Sequence, residues 1–189
     1  AWMFINHVLK LNGYRVINGY SDILSPFLGA VGADAGATGW WSNLRSFSLD
    51  RFAPPSGGGR LPVERYLSCR LLNRITYYEL AQLRDVVPEI LNGLPTDALY
   101  PEDSSQPQRN QEVLQSWDAI RDLNNRLALK NVVDALHGCL GALEDAQRIY
   151  GQAGAAIAQP FDPKSNDQHL EALQEGIRLF ASLAELELA

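Results

Sequence analysis

The chain has 189 residues, of which 46% are hydrophobic and 20% are charged, as is usual for a globular protein that can bury a core. Its formal net charge of −6 argues against nonspecific binding to nucleic acid. No apolar run approaches the roughly 20 residues that a membrane span requires. We therefore expect a cytoplasmic protein with neither a membrane nor a nucleic acid as its partner.

Helices and strands are predicted to alternate in the N-terminal part of the chain. Apolar residues at nearly helical spacing predict a helix over residues 1–12. A short run that is apolar on both faces predicts a buried strand over residues 14–18. A helix is expected over residues 22–31, followed by a second strand of small residues over 33–38. Helices and strands in this order are typical of parallel βα units.

A different pattern begins after residues 53–62, APPSGGGRLP, which predict an exposed linker. Strand patterns are absent beyond it, and residues 62–72 are interpreted as a helix. The segment Thr76-Tyr77-Tyr78-Glu79 is a capping box that predicts a helix reaching Leu91, with a kink or an early break at Pro88. Apolar stripes then predict three further helices, over residues 110–130, over 131–153 and from 165 or 166 onward.

These patterns predict a helix-dominated chain with two parts. An α/β piece of two parallel βα units occupies residues 1–52, and a helical domain occupies residues 63–189. Two parallel strands cannot form a sheet that is covered on both faces. The chain is also apolar from Trp2 onward, whereas a free terminus is usually polar. We therefore expect another protein chain, or a preceding part of a longer chain, to complete the sheet.

The segments VINGYSD at residues 16–22 and GADAGATG at residues 32–39 carry a resemblance to a known architecture. Over residues 1–52 the chain resembles the closing βα units of a TIM barrel. This resemblance implies a site at the loops that follow the strands, where backbone amides bind phosphate. The positions that match such an anion site are Gly36, Thr38 and Gly39, with Ser42 and Asn43 beyond them.

Two further groups are candidates for chemistry near these loops. Asp22 follows the first strand, where a carboxylate can act as a general base, and the alternative is that Ser21 or Asp22 only caps the next helix. Trp41 could stack on a base or a sugar, and Arg45 could bind a phosphate or a carboxylate. The alternative for this pair is core packing and an ion pair between Arg45 and Asp50. The small residues of the loop could likewise serve close packing alone.

Two functions remain open at this point. The first is the C-terminal portion or a subunit of a TIM-barrel-like enzyme that acts on a phosphorylated or a nucleoside- or sugar-like substrate, with Asp22 as its catalytic residue. The second is a non-enzymatic assembly or adaptor module that docks on another chain and belongs to an oligomer. The sequence has no motif for a metal or an organic cofactor, and Cys69 and Cys139 are expected to be free buried thiols.

Overall fold

The computed structural model describes residues 1–39, 49, 62–103, 105–129 and 131–188, and helices account for 57% of these residues. The prediction of a helix-dominated chain is therefore confirmed. The N-terminal part contains, in chain order, helix α1 (Trp2–Leu11), strand β1 (Ile17–Gly19), helix α2 (Ser25–Gly29) and strand β2 (Ala35–Ala37).

Strands β1 and β2 pair in parallel, with Ile17 opposite Ala35 and Gly19 opposite Ala37. The parallel pairing predicted from the order of helices and strands is confirmed, although each strand has only three residues. In the described part of the chain this sheet has two strands. The resemblance to a TIM barrel remains a prediction, because nothing in this short pair distinguishes a barrel from other parallel sheets.

The predicted helix over residues 62–72 is wrong. Strands β3 (Arg65–Ser68) and β4 (Asn73–Thr76) form an antiparallel hairpin in its place, with Tyr66 opposite Ile75. The chain reverses through a turn that ends at Leu72, whose φ of 50° is rare for a residue with a branched side chain. The hairpin shows no alternation of apolar and polar residues because Tyr66 and its neighbour Leu67 are both fully buried.

The capping box after this hairpin is confirmed. The Thr76 hydroxyl accepts a hydrogen bond from the Glu79 N–H at 3.2 Å, and the Glu79 carboxylate accepts the Thr76 N–H at 2.7 Å. Together these bonds open helix α3 (Tyr77–Leu83). The helix ends well before Leu91, and Pro88 begins a separate 3-10 turn, so the early break is also confirmed.

Three long helices complete the fold: α4 (Arg109–Leu127), α5 (Val132–Ala156) and α6 (Gln168–Leu183). They lie where the apolar stripes predict them. The expected side-chain cap of α6 is absent, since Asp167 occupies the cap position and makes no side-chain cap bond. The Asn166 side chain instead accepts a hydrogen bond from the Gln168 N–H at 3.2 Å.

The hydrophobic core is shared between the N-terminal part and the later helices. Phe27 and Val31, in and just after α2, are buried in the same cluster as residues of the hairpin and of helices α4 to α6. Helix α2 packs against α4, and α1 packs against α2 and α6. The division into residues 1–52 and 63–189 stays a prediction, because nearly all of the proposed linker, 53–61, lies outside the described residues.

Candidate functional site

The ends of β1 and β2 lie side by side, where the sequence predicts a site. Gly19 and Tyr20 follow β1, Thr38 and Gly39 follow β2, and together with Ala37 they border a cavity of about 280 Å³. The structure therefore brings the predicted Thr38 and Gly39 together with the loop after the first strand. Trp41, Ser42, Asn43 and Arg45 lie outside the described residues, so their predicted roles stay predictions.

A larger cavity, of about 430 Å³, lies between α2, β2 and α4. The predicted Gly36 and Thr38 line it, and α4 adds Trp117 and Asn124, which the sequence analysis missed. The Thr38 hydroxyl oxygen is buried and has no hydrogen-bond partner among the described residues. The α4 contribution carries no local signal in the sequence, because it depends on how α4 packs across α2.

Close packing between β2 and α2 requires a glycine at position 36. A Cβ atom at this position would lie 2.5 Å from the Ser25 hydroxyl oxygen and 2.7 Å from its Cβ. Side-chain atoms do not approach so closely without a shift of the backbone, so β2 can lie against the start of α2 only with glycine here. At Gly36 the close-packing interpretation therefore accounts for the residue without a ligand.

Asp22 lies outside both cavities and is bound by an arginine. The two carboxylate oxygens accept hydrogen bonds from the Arg74 guanidinium at 2.7 and 3.0 Å, and both side chains are largely buried. The alternative in which Ser21 or Asp22 only caps the next helix is wrong, because neither the 3-10 turn after Ser21 nor α2 has a side-chain cap bond, and the Ser21 hydroxyl lies 2.9 Å from the Ser25 hydroxyl. The pair with Arg74 ties the loop after β1 to the hairpin, and a catalytic role for Asp22 stays a prediction.

A second carboxylate, Asp34, lines the larger cavity just before β2. One of its oxygens accepts a hydrogen bond from the Lys10 ammonium at 2.6 Å, and the other accepts the Val16 N–H at 2.9 Å. These two bonds, together with the nearby positive charges, hold the pKa of Asp34 below its ordinary value. Asp34 therefore stays ionised at neutral pH, and it fastens α1 to the sheet.

Two buried side-chain amides provide a second link between α1 and the sheet. The Asn18 amide donates to Asn6 at 2.7 Å, and the Asn6 amide donates back to Asn18 at 3.2 Å. The Asn6 amide also donates to the backbone carbonyl of Trp2 at 2.8 Å. Asn6 and Lys10 lie four residues apart and therefore on the same side of the helix. The side of α1 that faces the protein thus carries the polar residues Asn6 and Lys10, together with Met3, which packs against the core.

The opposite side of α1 is apolar and exposed. We define the outer face of α1 as its six exposed large apolar residues, five of which lie away from Asn6 and Lys10, while Trp2, four residues before Asn6, lies at the edge of the face. They are Trp2, Phe4, Ile5, Val8, Leu9 and Leu11. The exposed fraction is 69% for Trp2, 50% for Ile5 and 73% for Leu11. A helix on the surface of a protein normally buries such a face, so α1 is inverted relative to the usual pattern.

Both cysteine side chains are buried in the core. Cys69 and Cys139 are free and buried, as expected from the sequence. Burial raises the pKa of both thiols to about 12, so neither is a thiolate at neutral pH. Within the described residues, no three histidine, cysteine or acidic side chains lie together in a way that could hold a metal ion.

Comparisons with known proteins do not assign the chain to a group: no family model, no curated protein and no solved structure matches it. None of the described helices is both long enough and apolar enough to cross a membrane. The outer face of α1 and the two cavities are therefore the features from which a function can be inferred.

Proposed function

We propose that this chain is a non-enzymatic assembly module that docks on another polypeptide through the outer face of α1. The observation that supports the proposal is the inverted orientation of α1, with its polar side bonded to the protein and its apolar side in solvent. Contiguous exposed apolar patches larger than a few hundred Å² are rare on monomers and mark interaction surfaces.

The size of the face can be stated as an area. The exposed fractions of its six residues together equal the surface of about three fully exposed large side chains. At roughly 150–200 Å² each, the face exposes about 500 Å² of apolar surface. Removing that area from water contributes on the order of 12 kcal/mol, which is comparable with the roughly 4–15 kcal/mol that association costs. The outer face can therefore support a specific complex once polar contacts at its rim are added.

Ile17 exposes a second, separate apolar surface. Its side chain is 72% exposed, and it points away from α1 because the neighbouring Asn18 points toward α1. The docking proposal rests on α1 alone and does not require a partner at Ile17.

Site-specific crosslinking tests the docking proposal. Leu9 on the outer face is replaced by the photoreactive residue p-benzoylphenylalanine in the full chain, inside cells that naturally make the protein. The matched control carries the same residue at Leu179, which is 60% exposed on α6. We expect a crosslinked polypeptide at position 9, loss of that product when Ile5→Glu is added, and no product at position 179. Equal products at both positions, or none at position 9, would contradict the proposal.

The two cavities favour a second candidate, the TIM-barrel-like enzyme with a phosphorylated or sugar-like substrate. Thr38 lines both cavities, and the loops after the two parallel strands meet beside it. The exposed Ile17 and the shortness of the sheet fit a sheet that further polypeptide completes. In this proposal Thr38 and Gly39 contact the anion and Arg45 neutralises its charge.

Titration calorimetry with inorganic phosphate tests this second candidate. We expect wild-type protein to bind phosphate, and Thr38→Val and Arg45→Ala each to weaken binding by about tenfold, which is the loss of one hydrogen bond to an ion. The control is Ser182→Ala, in the last turn of α6 and distant in sequence from the strand loops. Absence of phosphate binding at millimolar concentration, or equal binding by all four proteins, would show that these residues do not form an anion site.

A further inference from the structure

We propose that the outer face of α1 binds the same face of a second copy of this chain, with the two α1 helices antiparallel about a twofold axis. This inference rests on the proposed function, because it names the polypeptide that covers the face.

The apolar area of the face matches what a dimer requires. A standard interface buries about 800 Å² on each protomer, and about 65% of a homodimer interface is apolar, which is roughly 500 Å². The outer face exposes about that much apolar surface by itself. The remaining part of the interface would be its polar rim, so no second apolar patch is needed to reach a stable dimer.

The distribution of charge on α1 also favours a second copy. A twofold axis places each residue close to its own counterpart, so a charge near the axis would meet an identical charge. The outer face carries no charged residue, because Lys10 lies on the inner side and binds Asp34 at 2.6 Å. Ile5 and Val8 lie near the middle of the face and would therefore be closest to the axis.

Sedimentation equilibrium of the full chain, with a charged residue of either sign introduced in place of Ile5, tests the proposal. We expect wild-type protein to approach twice its mass of 20.9 kDa as its concentration rises. Ile5→Glu and Ile5→Lys, each alone, should raise the dissociation constant at least about thirtyfold, because two like charges meet at the axis. An equimolar mixture of the two variants should regain most of the dimer, because glutamate then faces lysine.

Leu179→Glu is the matched control, since it places the same charge at an exposed leucine of α6, and it should dimerise like the wild type. Circular dichroism establishes that each variant is folded. If an Ile5 variant is not folded, glutamate and lysine are introduced in place of Val8 instead. A wild-type chain that stays monomeric at every concentration overturns the inference, as does a mixture that remains monomeric.

The two proposals fail in different ways. A monomeric wild type whose Leu9 position crosslinks to a polypeptide of another mass overturns the dimer and leaves the docking function intact. No crosslink at Leu9 to any polypeptide, with a monomeric wild type, overturns both. A crosslinked product of twice the chain mass, lost with Ile5→Glu, supports both.

Discussion

The pair of buried amides that holds α1 in its inverted orientation can be tested by mutation. Asn6 is 1% exposed and Asn18 is 9% exposed, and each donates a hydrogen bond to the other. Asn6→Ala removes both bonds and leaves the Asn18 amide buried without this partner, at a cost of about 1–3 kcal/mol. For a chain of this length that loss lowers the melting temperature by roughly 4–8 °C if the cost is about 2 kcal/mol.

Urea unfolding of the two single variants and the double variant measures the coupling between the amides. We expect Asn6→Ala and Asn18→Ala to cost similar free energies of unfolding, and the double variant to cost less than their sum by about 1–2 kcal/mol. Asn12→Ala is the control, because the Asn12 amide donates to the Val8 carbonyl at 2.8 Å on the exposed surface. If Asn6→Ala changes stability no more than this control, the amide pair does not hold α1 in place.

Three further predictions concern the sheet and the core. Gly36→Ala should lower the free energy of unfolding by about 1–3 kcal/mol in urea melts, because the new Cβ would collide with Ser25, and Ser25→Gly should restore part of the loss. Because the pKa of Asp34 is lowered in the folded chain, its carboxylate contributes stability above about pH 4 that is lost as the pH falls through the lowered pKa. The difference in unfolding midpoint between wild type and Asp34→Asn should therefore shrink as the pH is lowered from 7 through the lowered pKa of Asp34. Cys69 and Cys139, with pKa values of about 12, should not react with Ellman's reagent until the protein unfolds.

Each of these predictions can fail in a definite way. A Gly36→Ala variant as stable as the wild type would mean that β2 does not need glycine against α2. A difference in unfolding midpoint between wild type and Asp34→Asn that grows as the solution is acidified would mean that folding raises the pKa of Asp34. Rapid reaction of either thiol in the native protein would show that the core around it is open.

Local patterns in the sequence were sufficient for several elements. The capping box at Thr76 and Glu79 depends on residues three apart, so its outcome does not rely on the rest of the fold. The apolar stripes of α4, α5 and α6 repeat over many turns, which makes a helix the only regular structure that can bury them. The parallel pairing of β1 and β2 followed from the helix between them.

The hairpin of β3 and β4 could not be predicted in the same way. Its turn ends at Leu72 in the left-handed region, where a glycine or an asparagine would have signalled a turn. Its backbone is also bonded by distant side chains: the Gln115 amide group accepts from the Leu67 N–H and donates to the Leu67 carbonyl. Because both faces are buried under other elements, the strand residues show no period of two.

The candidate site was predicted only where it is built from neighbouring residues. Thr38 and Gly39 lie beside the loop after β1 because parallel strands end at the same edge of a sheet. The pairing of Asp22 with Arg74 links residues far apart in the chain, and no local pattern indicates it. The sequence pattern also did not predict which side of α1 faces the protein, since helical spacing alone predicts that the apolar side is turned inward. The helix has the opposite orientation because the Asn6 side chain is hydrogen-bonded to Asn18 of β1.

The inverted orientation of α1 can be measured most directly by the reactivity of single cysteines on its two sides. Ile5→Cys places a thiol on the outer face, and Met3→Cys places one on the inner side, where Met3 packs against the core. Dilute native protein is treated with a maleimide, with the buried native thiols as an unreactive background. We expect the thiol at position 5 to react at least about ten times faster than the thiol at position 3. Faster reaction at position 3 would show that α1 turns its apolar side inward, and the docking surface would not exist.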